Sequence, residues 1–472
     1  MKSYSPPELV FVTKPDAGLE VSSYTFAASA GVDTNALAQL LATEGARTRP
    51  LFVQPPSATI ARLLAAGTPS PRSTFFQVDA PPDRLPQIRR RLSSLPYVES
   101  AYIKPPASAP VWKRSLVRTA VAPDITPNYI ANQLYLDPAP TGMDARFAWA
   151  LPGGKGAGVS VIDLEWGWLF QHEDLGGKLG VVYGVNDADT DHGTAVIGIL
   201  GGDDNQFGVT GFVPEADLSA AAFGDDWNTS SSRAIDAASL RCRPGDIIVL
   251  EIHRPGPRTG FAEDDGQRGY IATEWFPDDF AAIQRAVGRG VVVISAAGNG
   301  AENLDDDLYS LRPPDFPSTW QNPFRLGGPS SGAVLVGAGA PPLGTHGKDH
   351  GPDRSRLDFS NYGSRVDAQG WGVEVTSCGY GDLRGGLDNT HWYTDQFSGT
   401  SSATPTVAGA VACIQGILRA AGKTPLTPDE VVTALRATGT RQQDAPTRPT
   451  AQRIGNRPDI RALHQWAAAH RP

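Results

Sequence analysis

Four short, nearly all-apolar runs constrain this chain more than any other feature. They are Gly158–Asp163, Asp246–Leu250, Gly290–Ser295 and Gly332–Gly337. A run apolar on both faces belongs to a strand covered on both sides, which is the habit of parallel sheets. Helical patterns alternate with these runs, at Thr194–Leu200, Asp278–Val287 and Thr404–Ala421. Strand and helix in alternation predict an α/β fold: a doubly wound parallel sheet with right-handed crossovers, flanked by helices. Such sheets carry their sites at the carboxyl ends of the strands.

The first hundred residues follow another pattern. Glu8–Thr13, Ser73–Val78 and Val98–Ile103 read as strands. Asp33 caps a helix through Ala36, Leu37, Leu40 and Leu41, and Asp83 or Pro86 opens a second through Ile88, Leu92 and Leu95. This predicts a small α+β unit over residues 1–108. A Pro- and Ala-rich stretch with Lys113, Arg114 and Arg118 and no periodicity reads as a linker over 109–126, and the α/β domain fills 127–472.

Residues 1–125 hold 14 Lys/Arg and 9 Asp/Glu, whereas 126–472 hold 27 and 41. The two parts therefore attract each other. The whole chain is acidic, at −9, which gives no reason to expect nucleic acid or an anionic membrane as partner. No run of 18 apolar residues appears, and the first residues lack the apolar core of a secretory signal. A cytoplasmic location is expected, with signal-independent export as the alternative. Cys242, Cys378 and Cys413 stand far apart and suggest neither a zinc site nor a disulfide framework.

Three segments place an acid, a histidine and a serine where a parallel sheet displays its site. Asp163 ends the first apolar strand, His192 opens Asp191–Gly198, and Ser401 precedes a long apolar helix. A fourth, Ser295–Gly300, puts Asn299 at another strand end. A serine hydroxyl needs a base within hydrogen-bond reach, and an imidazole titrates in the right range. A carboxylate behind the ring fixes its tautomer. A serine at a helix N-terminus offers its own N–H to developing negative charge, and the Asn299 carboxamide supplies a second donor.

These segments resemble the subtilisin-like serine peptidases, or subtilases. His192–Gly198 (HGTAVIG) is similar to the family's histidine motif and Gly399–Pro405 (GTSSATP) to its serine motif. Ala296–Gly300 (AAGNG) resembles the oxyanion segment, Phe359–Ser364 a typical stretch before the serine, and Ile454–Arg461 a subtilase ending. The resemblance covers about residues 127–465. It implies a serine endopeptidase acting on protein or peptide substrates, with Ser401 as nucleophile, His192 as general base, Asp163 as orienting acid and Asn299 in the oxyanion hole. No cofactor is implied for the chemistry. The N-terminal unit resembles inhibitor-I9 propeptides, with Leu95–Pro105 as its last strand, although its middle segment, Arg49–Arg72, is longer than in that pattern. That likeness implies a ferredoxin-like fold and an intramolecular chaperone and inhibitor, hence a self-inhibited precursor.

Two departures stand out. Asp163 is followed by Leu164-Glu165-Trp166-Gly167 instead of a hydroxyl residue and glycine. Glu165 is therefore the second candidate acid, as glutamate is in the related sedolisins; the histidine motif, which sedolisins lack, favours Asp163. The substrate strand, commonly Ser-Leu-Gly-Gly, is here Leu250-Glu251-Ile252-His253. With Ala296, Ala297 and Gly298 these residues are expected to bind substrate, and specificity does not transfer from the relatives. Asp174, Asp203, Asp204 and Asn205 fall where many subtilases hold a structural calcium. A subtilase-like peptide ligase or macrocyclase, passing the acyl group to an amine, is the rival activity.

Overall fold

The computed structural model describes residues 5–22, 25–52, 74–111, 124–178, 180–224 and 230–471. Lys113, Arg114 and Arg118 of the expected linker, and most of the long segment before Arg72, lie outside them.

Seven parallel strands form the main sheet. In spatial order they are Ala368–Trp371, Val334–Gly339, Val292–Ala296, Ile247–Leu250, Ser160–Glu165, Asp217–Ala222 and Val181–Tyr183. The register sets Asp163 beside Val249 and Ala220. Each central strand is buried on both faces because helices cover both. Val161, Val249 and Ile294 pack in one cluster with Val407, Val411 and Ile414 of the helix Thr400–Ala420. Ile162, Leu164, Ile248 and Val293 pack in another with Ile235 and Ile283. Thr400–Ala420 is long and apolar enough to cross a membrane, yet it is buried from Thr400 to Leu418 as the core helix of this domain.

The strand expected to end at Asp163 runs on to Glu165. Side chains alternate along a strand, so Asp163 and Glu165 share a face while Leu164 points into the opposite core.

The N-terminal unit is a four-stranded antiparallel sheet in the order Arg47–Pro50, Phe75–Asp79, Glu8–Thr13, Val98–Lys104. Alternation divides its central strand between two partners. Leu9 and Phe11 pack with Leu37, Leu40, Leu41, Ile88 and Leu92 from the helices Asn35–Glu44 and Leu85–Leu92. Val10 and Val12 face the other way and join the core cluster of the large domain.

The two units also meet through a fully buried ionic network. Lys104 Nζ lies 2.6 Å from Asp278 Oδ2, 3.2 Å from Asp279 Oδ1 and 3.1 Å from Glu8 Oε2. Arg254 pairs with Glu8 and donates to the Pro105 carbonyl. Tyr102 donates to Asp278 and Ser231 to Asp279. Both aspartates stand in the first turn of the helix Pro277–Gly288, where its dipole favours negative charge. Burial alone would lower the Lys104 pKa; the carboxylates around it outweigh that and raise it. Lys104 and Glu8 of the N-terminal unit thus each find an opposite charge on the large domain.

Candidate active site

Asp163, His192, Asn299 and Ser401 converge at the carboxyl ends of the central strands, and all four are buried. His192 is the second residue of the helix Asp191–Gly201. Gly193 follows it because a Cβ there would stand 2.6 Å from the Trp168 ring and 2.4 Å from the Gly167 carbonyl. Ser401 is the second residue of Thr400–Ala420, so its N–H is one of the first-turn donors that have no partner within the helix. His192 Nε2 lacks a hydrogen-bond partner.

The acid beside the imidazole is the second candidate, Glu165. His192 Nδ1 lies 2.5 Å from Glu165 Oε2, and no hydrogen bond joins it to Asp163. Asp163 Oδ2 instead accepts from Trp168 Nε1 at 2.7 Å. Asn186 fixes that indole segment by bonding both the N–H and the carbonyl of Trp168. The physical reason is the two-residue extension of the strand: it carries the longer Glu165 side chain up to the ring and leaves Asp163 one step behind. Trp168 is therefore a support for an acid.

Charge at this site is confined. Burial pushes both Asp163 and Glu165 well above the ordinary carboxyl range, and the charge on Glu165 raises Asp163 further. Burial lowers His192 to about 4. Glu251 is buried beside Ser401; burial, then the charges of Asp163 and Glu165, push it well up against the opposing hydrogen bond with Ser401. Three carboxyls this close in a dry site do not all ionise at neutral pH.

Asn299 Oδ1 accepts from the N–H and hydroxyl of Thr400, each at 3.0 Å, which fixes the orientation of its amide. Its Nδ2 donates to Gln267 Oε1 at 3.1 Å. Gln267 is a residue the sequence reading missed. It lies in a loop, with left-handed backbone at φ 59°, and no pattern in the chain marks it.

Part of the chain occupies the cleft. Ser108 and His253 form an isolated antiparallel bridge, exchanging two N–H···O bonds of 3.1 Å. Gln267 Nε2 donates to the Ala109 carbonyl at 2.7 Å, and the Ser401 N–H points at the Pro110 carbonyl at 3.4 Å. Residues 109–111, read from sequence as the start of a linker, thus belong to the cleft. Among the expected substrate residues, Glu251 and His253 border this segment. Leu250, Ile252 and Ala297 are buried in the apolar cluster that also holds Ala107 and Ala109. Ala296 ends its strand in the buried core. Gly298 has φ +97°, and a Cβ there would lie 2.8 Å from Asn361 Nδ2.

The expected calcium residues are engaged elsewhere. Asp174 accepts from Asn205 Nδ2 at 2.7 Å and from the Val209 N–H at 2.6 Å. Asp203 pairs with Lys178 and Asp204 with Lys155. The lysines each take one oxygen of Asp203 and Asp204, and no cluster of three His, Cys, Asp or Glu suited to a metal occurs among the described residues.

The subtilase family model matches residues 154–454. The chain belongs to the subtilase family. An intracellular serine protease of Paenibacillus polymyxa is 26% identical over 321 residues, covering 65% of this chain and 82% of that one. Subtilisin BL of Lederbergia lenta is 27% identical over 270 residues, 56% of this chain and 78% of that one. Among solved structures, fervidolysin of Fervidobacterium pennivorans, described as a keratinolytic enzyme related to subtilisin, superposes with a TM-score of 0.56 at 15% identity. That match covers 98% of this chain and 62% of that one, and it bears on the fold alone. As a subtilase the protein is a serine endopeptidase, a hydrolase whose chemistry needs no cofactor.

Proposed function

We propose that this subtilase hydrolyses peptide bonds through an acyl-enzyme on Ser401 and is made as a precursor inhibited by its own N-terminal unit. His192 Nε2 takes the Ser401 proton and returns it to the leaving amine. Glu165 holds the ring by its Nδ1 and stabilises the imidazolium. Asp163, held by Trp168, shares a proton with Glu165 and keeps it in place. The Ser401 N–H and Asn299 Nδ2 receive the oxyanion, once Nδ2 turns from Gln267. Losing such a donor costs about 3–4 kcal/mol in the barrier.

One observation carries this reading. The segment after the N-terminal unit pairs with His253 as an added strand and brings a carbonyl to the nucleophile's N–H, which is how an extended peptide binds by β-augmentation. The same segment blocks the cleft while it remains there.

The test is covalent labelling by a fluorophosphonate together with hydrolysis of an unfolded protein. Both should vanish in Ser401→Ala and fall steeply in His192→Ala, with the fold retained. Near-normal hydrolysis in folded Ser401→Ala would overturn the assignment. Coupling of the product to an added amine, in place of hydrolysis, would favour the ligase reading.

A further inference from the structure

The pairing of the cleft segment fixes more than its presence. Ser108 lies opposite His253, and two residues on, the Pro110 carbonyl meets the Ser401 N–H. The carbon presented to Ser401 Oγ is therefore that of Pro110, and the bond beyond it is Pro110–Val111.

Alternation then identifies the groups facing the proline ring. Residues 108 and 110 point to one side of the segment, and a directly opposed pair shares a face. His253 lies on that face opposite Ser108. Continuing the antiparallel register by two residues places Glu251 opposite Pro110. The Glu251 carboxyl beside Ser401 agrees with this placement.

The His253 ring is wholly buried, on the face that Ser108 and Pro110 share. It packs on Tyr270 with centroids 4.7 Å apart, and its Nδ1 accepts the Asn299 N–H at 3.3 Å. A Cβ on Gly298 would be 3.5 Å from the same nitrogen. The ring is thus wedged between Tyr270 and the backbone of Gly298 and Asn299. A long or branched side chain has no room there, and an acidic one would meet Glu251.

Proline suits the position in two further ways. Its missing N–H withholds the bond that residue 110 would otherwise give to the Glu251 carbonyl, which leaves the Ser108–His253 bridge isolated and the segment easier to release. Its fixed φ fits the tight turn in which the Val111 N–H donates to the Ala109 carbonyl at 2.8 Å. Ala107 and Ala109 are also buried, so the whole stretch is compact.

We propose that this enzyme cleaves after small uncharged residues, proline in its own chain, that His253 imposes the limit, and that Pro110–Val111 is the bond it cuts in itself. This rests on the peptidase reading above. Ser401 Oγ bonds to the Pro110 carbonyl carbon, the bond to Val111 N breaks, and His192 passes the serine proton to that nitrogen. Water then releases the Pro110 carboxylate and restores Ser401.

The experiment has two arms on the full chain. Intact-mass measurement of the wild-type chain should find a fragment ending at Pro110. Pro110→Phe should slow that cut at least about tenfold, and His253→Gly in the same chain should restore it, since filling or emptying such a pocket changes rates by about 10–200-fold. In the second arm, peptides Pro-Ala-Ser-Ala-X-Val-Trp-Lys are given to wild-type enzyme, which does not depend on any variant folding. The peptide with X as Pro should be cut after X at least tenfold faster than those with Leu, Phe or Lys. Cleavage at another bond, or equal rates for the large residues, would overturn the inference. Ser401-dependent hydrolysis of denatured casein, run alongside, separates the two failures. If casein is cut and proline is not preferred, only this inference falls; if casein is not cut, the peptidase reading falls with it.

Discussion

Glu165 Oε2 lies 2.5 Å from His192 Nδ1, while Asp163 Oδ2 is held 2.7 Å from Trp168 Nε1. The carboxylate touching the imidazole is thus two residues beyond the acid that the motif order designates. Glu165→Gln should lower kcat by about 10⁴-fold, the cost of the wrong tautomer in a serine triad. Asp163→Asn should cost far less, because an amide still gives a hydrogen to Glu165 and an oxygen to Trp168. Steady-state kinetics on one peptide ranks the two; the reverse order would return the orienting role to Asp163.

The pH profile should show the crowding of carboxyls. Glu165 must be ionised to stabilise the imidazolium, and burial raises its pKa. A raised pKa means the ionised form is lost at a higher pH as acid is added. The acid limb of kcat/KM should therefore lie above the ordinary glutamate range. The Asp163 and Glu165 charges push Glu251 well up, so it still carries its proton when Glu165 ionises, and Glu251→Gln should leave the limb in place. A limb that moves would show that Glu251 is charged beside Glu165.

Much of this molecule was legible in its sequence. The apolar runs are strands of one parallel sheet, and Glu8–Thr13 is a strand over the expected residues. What was not legible has physical causes. The strand through Asp163 shows no stop signal in Leu164-Glu165, and only its extension brings Glu165 to the histidine. Alternation at i and i+2 was the available clue. Gln267 carries no pattern because its place depends on a left-handed loop residue. The acidic residues near Asp174 were read without their partners, Lys155 and Lys178, which are distant in sequence. Residues 109–111 look like linker since a segment bound by one backbone bridge needs no hydrophobic period.

The ionic contact between the units gives a stability prediction. Lys104→Met would leave Asp278 and Asp279 buried without their cation, a change that costs about 3–5 kcal/mol when a buried pair is broken. Thermal unfolding of the full chain should show the N-terminal unit releasing earlier, with the cleft opening at the same temperature. An unchanged transition would mean that Arg254 alone satisfies the two aspartates.

Calcium should matter little at Asp174 and Asp203–Asn205. A ligand that binds only the native state raises its stability, so the Tm in chelator and in added calcium should coincide. A higher Tm with calcium, lost in Asp203→Asn, would mean the ion displaces Lys178.

Occupation of the cleft by Ser108–Pro110 is the centre of this account, and the rate at which a fluorophosphonate labels Ser401 measures it directly. The intact chain is compared with Ser108→Pro, which removes the N–H given to the His253 carbonyl and so loosens the segment. Labelling of the intact chain should be slow, and that of the variant at least about tenfold faster, the tenfold corresponding to about 1.4 kcal/mol of lost hold. Equal rates in two folded proteins would contradict that occupation.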